Sequence, residues 1–205
     1  MRKTYSFDDV LLTPRYSEIE SRSQIDLTSN LDSNISLSLP VIASPMDTIT
    51  EEAMATSMDS AGGLGVVHRY GSIDFQAEIV KDLYYAGVTN IAAAIGMTGD
   101  YAERASELVK SGANILCVDV AHGHHSLMRD CLAQLRRLFD DKTHLMAGNV
   151  ATLEAFEALS SWGADSIRVG IGGGSICSTR LVTGHGIPTL QSILDCAKSS
   201  CDAKI

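Results

Sequence analysis

Positive charge is scarce in this chain: 16 Lys and Arg stand against 25 Asp and Glu, a net charge of −9. That balance excludes a general attraction to nucleic acid or to an anionic membrane, while leaving room for a local site that holds one phosphate. No apolar run reaches the roughly 18 residues that a membrane span needs. The first residues, Met1 to Asp9, carry basic side chains but no apolar stretch behind them, so they do not read as a secretory signal. The five cysteines are scattered and form no Cys-x-x-Cys pair. Free thiols in odd number point to a reducing compartment, and the expected location is cytoplasmic.

What is present is an ordinary globular composition, 45 % apolar and 20 % charged over 205 residues, read as one domain spanning 1–205. One rhythm repeats along it. Short apolar runs at 39–43, 64–67, 88–95, 113–120, 144–147 and 166–171 alternate with helical patterns at 51–60, 73–85, 100–111, 127–138, 153–162 and 189–198. Thr48 with Glu51, and Asp100 with Glu103, have the spacing of capping boxes. Gly63, Gly87 and Gly112 stop successive helices at near-equal spacing. Apolar strands that each lead into a helix predict a parallel sheet covered by helices. Two architectures compete. About six strands suit an open doubly wound sheet. A (β/α)8 TIM barrel needs eight, and no strand is visible after Ile171. Polar residues just past many strand ends favour the barrel, whose chemistry gathers at one mouth.

The most distinctive stretch runs from Arg168 to Arg180. An apolar strand enters Gly170-Ile171-Gly172-Gly173-Gly174, then Ser175, then Cys177, which the hydroxyls of Ser178 and Thr179 follow. Glycines let backbone groups approach a ligand, and successive amides can cradle an anion. The loop lacks the Gly-Lys-Ser/Thr of a P-loop and the third glycine of a dinucleotide fingerprint. It reads either as a plain turn with a buried cysteine or as an anion nest beside a nucleophilic thiol. Other strand ends carry Ser44-Pro45-Met46-Asp47, Asp119, and Gly148-Asn149. Asp119 suits ribose hydroxyls or a helix cap, Asn149 a base edge or an Asx turn, and Arg168 a carboxylate, a phosphate or bare solvent. Ser44 and Met46 offer a hydroxyl and a thioether to a flat base, or form a turn with a core Met. His122, His124 and His125 crowd one loop and lack the distributed spacing of zinc ligands. Cys117 lies inside a strand and reads as core.

Taken together, the segments 5–12, 39–47, 62–69, 118–124, 147–152 and 168–180 resemble the IMP dehydrogenase / GMP reductase family. The resemblance covers most of the chain. It implies a (β/α)8 barrel, here incomplete with about six of eight βα units, and a homotetramer. It implies that Cys177 attacks C2 of a bound purine nucleotide. In the dehydrogenase, IMP is oxidised with NAD and the adduct is hydrolysed to XMP; in the reductase, GMP loses ammonia and NADPH yields IMP. Carried over by position, Thr179 helps position the water or ammonia chemistry, while Ser44, Met46, Asn149 and Ser175 bind the substrate. Asp119, Arg168 and Gly170 face the nicotinamide cofactor, and the carbonyls of Gly172, Gly174 and Cys177 ligate potassium.

The choices at 118–124 and 147–152 look closer to the dehydrogenase branch. The direct run from Arg69 to Thr89 leaves no room for a regulatory CBS insert, which favours the reductase slightly. Gly173 departs from the Pro or Ser common at that place. The chain also stops short of the last two βα units. The expectations are a longer protein, a second chain that completes the barrel, or a non-catalytic nucleotide-binding fragment.

Overall fold

Strands form where the sequence offers unbroken small or branched apolar residues, and helices form where apolar residues recur on one face. The computed structural model describes residues 3–205, so Met1 and Arg2 of the opening stretch lie outside the described residues. A short antiparallel pair, β1 (Ser29–Asn30) and β2 (Ser36–Leu37), comes first. Then follow β3 (Ile42–Ala43), α1 (Glu52–Ser60), β4 (Leu64–Val67), α2 (Ile73–Tyr85), β5 (Ala92–Ile95) and α3 (Tyr101–Ser111). The series continues with β6 (Ile115–Asp119), α4 (Ser126–Phe139), β7 (His144–Val150), α5 (Leu153–Ser161) and β8 (Ser166–Val169). A short α6 (Thr179–Thr183) and α7 (Thr189–Cys196) close it. Among the described residues no helix is long and apolar enough to cross a membrane.

Strands β3 to β8 form a six-stranded parallel sheet in strict sequence order. This decides between the two architectures. A doubly wound sheet reverses its strand order and places helices on both faces. Here the order never reverses, and the core divides by strand parity. Val67, Ala93, Ile95, Leu116, Val118, Leu145 and Ala147 pack with the helices in one cluster. Leu64, Val66, Ala92, Ala94, Ile115, Cys117 and Met146 face the other way, where they cluster with Leu31, Ile35 and Leu37 of the hairpin region. Helices on one face and a plug under the other define a curled half-barrel, an incomplete (β/α)8 fold with six βα units. Lys204 then forms a parallel bridge with Ser166, and Ile167 donates its amide to the Lys204 carbonyl at 2.7 Å. A seventh strand position is thus touched beside β8, later than the sequence suggested.

Local details correct several expectations. Thr48 does not cap α1: its φ is +60°, and Glu51 is the cap residue without a side-chain bond. Asp100 likewise makes no cap bond; its carboxylate accepts from Arg104 Nη2 at 2.8 Å instead. The buried stripe of α4 is Met128, Cys131, Leu132 and Leu135, while Leu127 and Leu138 are exposed. That rotation puts the apolar surface between α4 and the sheet one residue away from the simplest reading of the pattern.

The hairpin is locked beneath the sheet by buried polar groups. His144 Nδ1 lies 2.5 Å from Asp32 Oδ2, and its Nε2 lies 2.7 Å from Ser166 Oγ. Asp, His and Ser follow one another as in a hydrolytic triad, but Ser166 is 3 % exposed. A hydroxyl sealed to that degree cannot meet a substrate carbonyl, so the constellation acts as a latch.

Candidate active site

The C-terminal ends of the strands carry a connected polar network. Asp119 ends β6 and shares its inward parity with Cys117. Its Oδ1 accepts from Arg168 Nη1 at 2.6 Å and from Asn149 Nδ2 at 3.1 Å. Asn149 Nδ2 also donates to the Val120 carbonyl at 3.0 Å. The Gly148–Asn149 peptide is cis, and the β7–β8 pairing shifts register between Gly148 and Val150. A Cβ on Gly148 would lie 2.7 Å from Arg168 Cβ, so glycine is what admits the arginine at this place. His125, not Asp119, caps α4 through its Nδ1, which removes the helix-cap reading of Asp119. Arg168 is paired and only partly exposed, which removes the solvated reading.

Arg69 braces this network directly, and Arg104 steadies the loop beside it. Arg69, after β4, donates from Nη2 to the Asp119 carbonyl at 3.3 Å. Buried Arg104 donates to the Gly71 carbonyl at 3.2 Å and to Gln76 Oε1 at 2.8 Å, tying the loop after β4 to α3. The only signal for Arg69 in the sequence is its place at a strand end; a contact to a residue 50 positions away leaves no periodic trace.

On the inner face a cavity of about 400 Å³ is lined by Ser44, Asn149, Arg168 and Gly170 together with Val66 and Met146. Four expected site residues therefore share one space. Met46 does not line it; at 47 % exposure it is no core residue either. Ser175 and Cys177 are also absent from its walls.

Those two belong to a separate lobe, residues 170–188, closed by the Ile171–Ile187 bridge. No residue from 173 to 186 is buried. Cys177 is partly exposed, and its thiol is held below the ordinary value, first by the Thr179 hydroxyl, then by the Thr179 amide, against the opposing effect of burial. The Arg180 charge and the Gly172 amide act in the same direction. The other buried thiols contrast with it: burial pushes Cys117 up to about 11 and Cys131 up to about 12. Among five cysteines, only Cys177 combines access with a depressed thiol, the condition for a nucleophile. Thr189, at the start of α7, stands against both Gly170 and Gly173 and so links the lobe to the strand ends.

The groups suited to cofactor and ion can be judged on these atoms. Asp119 Oδ2 takes no hydrogen bond among the described residues, leaving one carboxylate oxygen for ribose hydroxyls. Of the three carbonyls expected to hold potassium, that of Gly174 accepts the Cys177 amide at 3.2 Å, while those of Gly172 and Cys177 take no hydrogen bond among the described residues. The set fits a cation in part. Asp47, Glu51 and His68 also bring ligand atoms within 4.8 Å of one another. However, His68 Nδ1 accepts from the Tyr70 amide at 3.2 Å, so the neutral ring donates from Nε2 to Glu51 Oε1 at 3.0 Å and has no lone pair for a metal there. The three histidines after β6 form no such group among the described residues; His124 stacks on Trp162.

Comparison with known proteins adds a separate line. The IMP dehydrogenase / GMP reductase domain matches residues 4–205. An inosine-5'-monophosphate dehydrogenase of Cryptosporidium parvum is 33 % identical, covering 95 % of this chain and 58 % of its own length. A GMP reductase of Vibrio cholerae is 35 % identical over 200 residues, covering 95 % of this chain and 57 % of its own. The inosine-5'-monophosphate dehydrogenase of Nitrosopumilus maritimus is 29 % identical, covering 96 % and 67 %. The chain thus spans little more than half of the length of several curated relatives. Its alignment with the Nitrosopumilus dehydrogenase extends over 320 positions, and with a Leishmania major GMP reductase over 326. Relatives of both names therefore align with this chain across long gaps.

Proposed function

Because the chain belongs to the IMP dehydrogenase / GMP reductase family, we propose that it is the nucleotide-binding and nucleophile-bearing part of a purine-nucleotide oxidoreductase, acting as an NAD-dependent IMP dehydrogenase. The observation that carries this reading is a partly exposed Cys177, its thiol held below the ordinary value by Thr179, on the loop that follows β8, at the strand ends where a carboxylate keeps one oxygen free. Cys177 adds as thiolate to C2 of the purine. Hydride then leaves C2, and water replaces the sulfur at the same carbon to give XMP and restore the thiolate. A nicotinamide, when bound, supplies the oxidising capacity. Asp119 orients that cofactor by its ribose, and Arg168 and Asn149 hold Asp119 in place. Ser44 and Asn149 border the space for the base, and Ser175 with the lobe amides offers contacts for the substrate phosphate. Potassium, when bound, would be held by the Gly172, Gly174 and Cys177 carbonyls. Assembly as a homotetramer and a cytoplasmic location belong to the same reading.

A second reading, GMP reductase, is supported by the match of the Vibrio cholerae reductase, 35 % identical over 200 residues. One pair of assays separates the two. Appearance of NADH absorbance with IMP and NAD supports the dehydrogenase; ammonia release from GMP with NADPH and no reaction with IMP replaces it with the reductase. Peptide mass mapping after incubation with 6-chloro-IMP is expected to place the adduct on Cys177. An adduct confined to another cysteine would sink both.

A further inference from the structure

Three arginines surround the strand-end network, and two of them have a carboxylate. Arg168 Nη1 lies 2.6 Å from Asp119 Oδ1, and Arg104 Nη2 lies 2.8 Å from Asp100 Oδ2. Arg69 has none. Among the described residues it forms no ion pair, and its one hydrogen bond runs from Nη2 to the Asp119 carbonyl at 3.3 Å. Its head rests just past β5, where a Cβ on Gly96 would stand 3.6 Å from Nη1 and 3.8 Å from Cζ. All but one of its N–H donors therefore stay unused. A chain of net charge −9 repels anionic ligands as a whole, so such a ligand needs a local cation that no carboxylate has already neutralised.

The backbone that carries this head is pinned on both sides. Ahead of it, buried His68 donates its amide to the Thr50 carbonyl at 3.3 Å, and its Nε2 meets Glu51 Oε1 at 3.0 Å. Behind it, the Tyr70 amide donates to His68 Nδ1 at 3.2 Å, and the Gly71 carbonyl accepts from Arg104 Nη1 and Nη2, each at 3.2 Å. A cation held this way gives the folded chain no ion pair, but it is preorganised for an anion that arrives from outside. Its neighbour points to which anion. Asp119 keeps Oδ2 free for ribose hydroxyls, and Arg69 is bonded to the carbonyl of that same residue. In a nicotinamide dinucleotide the diphosphate hangs from the 5′ carbon of that ribose. A planar guanidinium matches phosphate oxygens with two parallel bonds.

We propose that Arg69 binds the diphosphate of the nicotinamide dinucleotide, seating the linker while Asp119 seats the ribose. This role rests on the reading of Asp119 as the ribose ligand. It is the same for NAD and NADPH, which share the diphosphate, so it does not depend on the choice between dehydrogenase and reductase. The monophosphate of the substrate offers the same chemistry. The diphosphate is the occupant because Arg69 is bonded to Asp119, whereas Ser175 stands on the separate lobe.

The test is equilibrium binding by calorimetry on the full chain, with NAD, nicotinamide riboside, inorganic pyrophosphate and IMP as probes. Arg69→Gln keeps an amide donor for the Asp119 carbonyl and drops the charge; Arg69→Lys keeps the charge and loses the planar fork. Arg69→Gln is expected to weaken NAD and pyrophosphate by about 10- to 100-fold, leaving nicotinamide riboside and IMP within about twofold. Arg69→Lys is expected to recover part of that loss, and the salt dependence of NAD binding should flatten in the Gln variant alone. Equal losses for NAD and nicotinamide riboside would reduce Arg69 to a brace of Asp119 and overturn the proposal. A loss confined to IMP would hand the arginine to the substrate phosphate and overturn it too, as would a parent chain that binds neither NAD nor pyrophosphate. Should Arg69→Gln fail to fold, Arg69→Lys decides: NAD weaker by about 3-fold or more with the riboside unchanged supports the fork, and unchanged NAD overturns it. Riboside binding that survives Asp119→Ala would reject the ribose role of Asp119, while loss of pyrophosphate in Arg69→Gln would still keep Arg69 as the diphosphate ligand.

Discussion

The strand-end network and the cysteine lobe bring chemistry to the same mouth by opposite means. At the strand ends, Asp119, Asn149, Arg168 and Arg69 come from four different strands or strand exits and are tied by hydrogen bonds that span 30 to 50 residues of sequence. Asp119 and Arg168 both pair with Gly148 of β7 in the sheet ladder, and the sheet stands on a buried aliphatic core. The lobe has no buried residue between 173 and 186 and relies on glycine contacts, one bridge and the Arg180 stem. Regions with few buried contacts open at lower free energy than core strands. The contrast assigns preorganised orientation to the first region and adaptable attack to the second. A carboxylate that orients a cofactor gains from being fixed; a thiol that must reach a carbon, leave it and return gains from a looser mount.

The largest expected effect breaks the lobe chemically and leaves the frame intact. Cys177→Ala should lower turnover by ~10³-fold or more, because the lobe holds no second thiol. Its thermal midpoint should match the parent, since the side chain is half exposed and holds nothing in place. A variant that loses activity and stability together would show that the lobe is part of the frame after all.

Breaking the strand ends should give the reverse pattern. Asp119→Ala leaves Arg168 without its partner at 2.6 Å and Asn149 without its acceptor at 3.1 Å. A stability loss of about 1–3 kcal/mol is expected, together with weakened cofactor binding read as a raised KM. A double-mutant cycle between Asp119 and Asn149 should return a coupling of about 0.5–3 kcal/mol. Coupling near zero would mean that the network is crowded but not cooperative.

Glycine substitutions sharpen the same comparison at the level of packing. Gly148→Ala would set a Cβ 2.7 Å from Arg168 Cβ and 3.0 Å from the Arg168 carbonyl, inside a laddered strand that has no room to yield. Overpacking of that kind costs about 1–3 kcal/mol. Gly174→Ala would meet only Cys177 Cβ at 3.3 Å in an exposed loop, and its melting temperature should not move measurably. Equal losses at the two sites, read by denaturant midpoints, would erase the distinction between frame and lobe.

The frame was largely legible in the sequence, and the lobe only as a motif. Apolar runs such as 64–67 and the capped pattern of 73–85 survive unchanged, because unbroken burial on both faces of a parallel strand leaves a strong signature. The choice of barrel over open sheet was legible from the strand-end chemistry and the family resemblance, but not from the strand pattern itself. It depends on which face the helices take, which appears only when strand parity sorts residues into two clusters. Two-residue strands such as β1 and β2 are too short to show a period, so the plug went unseen. Asp119, Asn149 and Arg168 could be named from their strand-end positions, but not their mutual bonds. The sequence also grouped Cys177 and Ser175 with them, whereas these sit on a lobe of their own. Thr48 shows a different limit: capping spacing is a local rule, and here α1 has no side-chain cap, while Thr50 ties the preceding loop by donating its hydroxyl to the Ser44 carbonyl at 2.6 Å.

The smallest expected effect concerns the opposite end of the half-barrel, where the frame holds its plug. Asp32 feels the penalty of partial burial, but its bond to His144 and the amides of Asn34 and Ile35 outweigh it, and its carboxyl lies below the usual value. A carboxyl depressed in the folded state adds stability above its unfolded value, about 3.9, and loses that contribution as pH falls through the folded one. The stability gap between the parent and Asp32→Asn should therefore be constant from neutral pH down to about pH 5, then close in more acid solution. Thermal melts over that range provide the measurement. Because His144 remains bonded to Ser166 at 2.7 Å in the variant, the sheet should stay intact while hydrogen exchange quickens in residues 29–37. If exchange instead quickened across β6 and β7, the latch would belong to the barrel itself rather than to the plug beneath it.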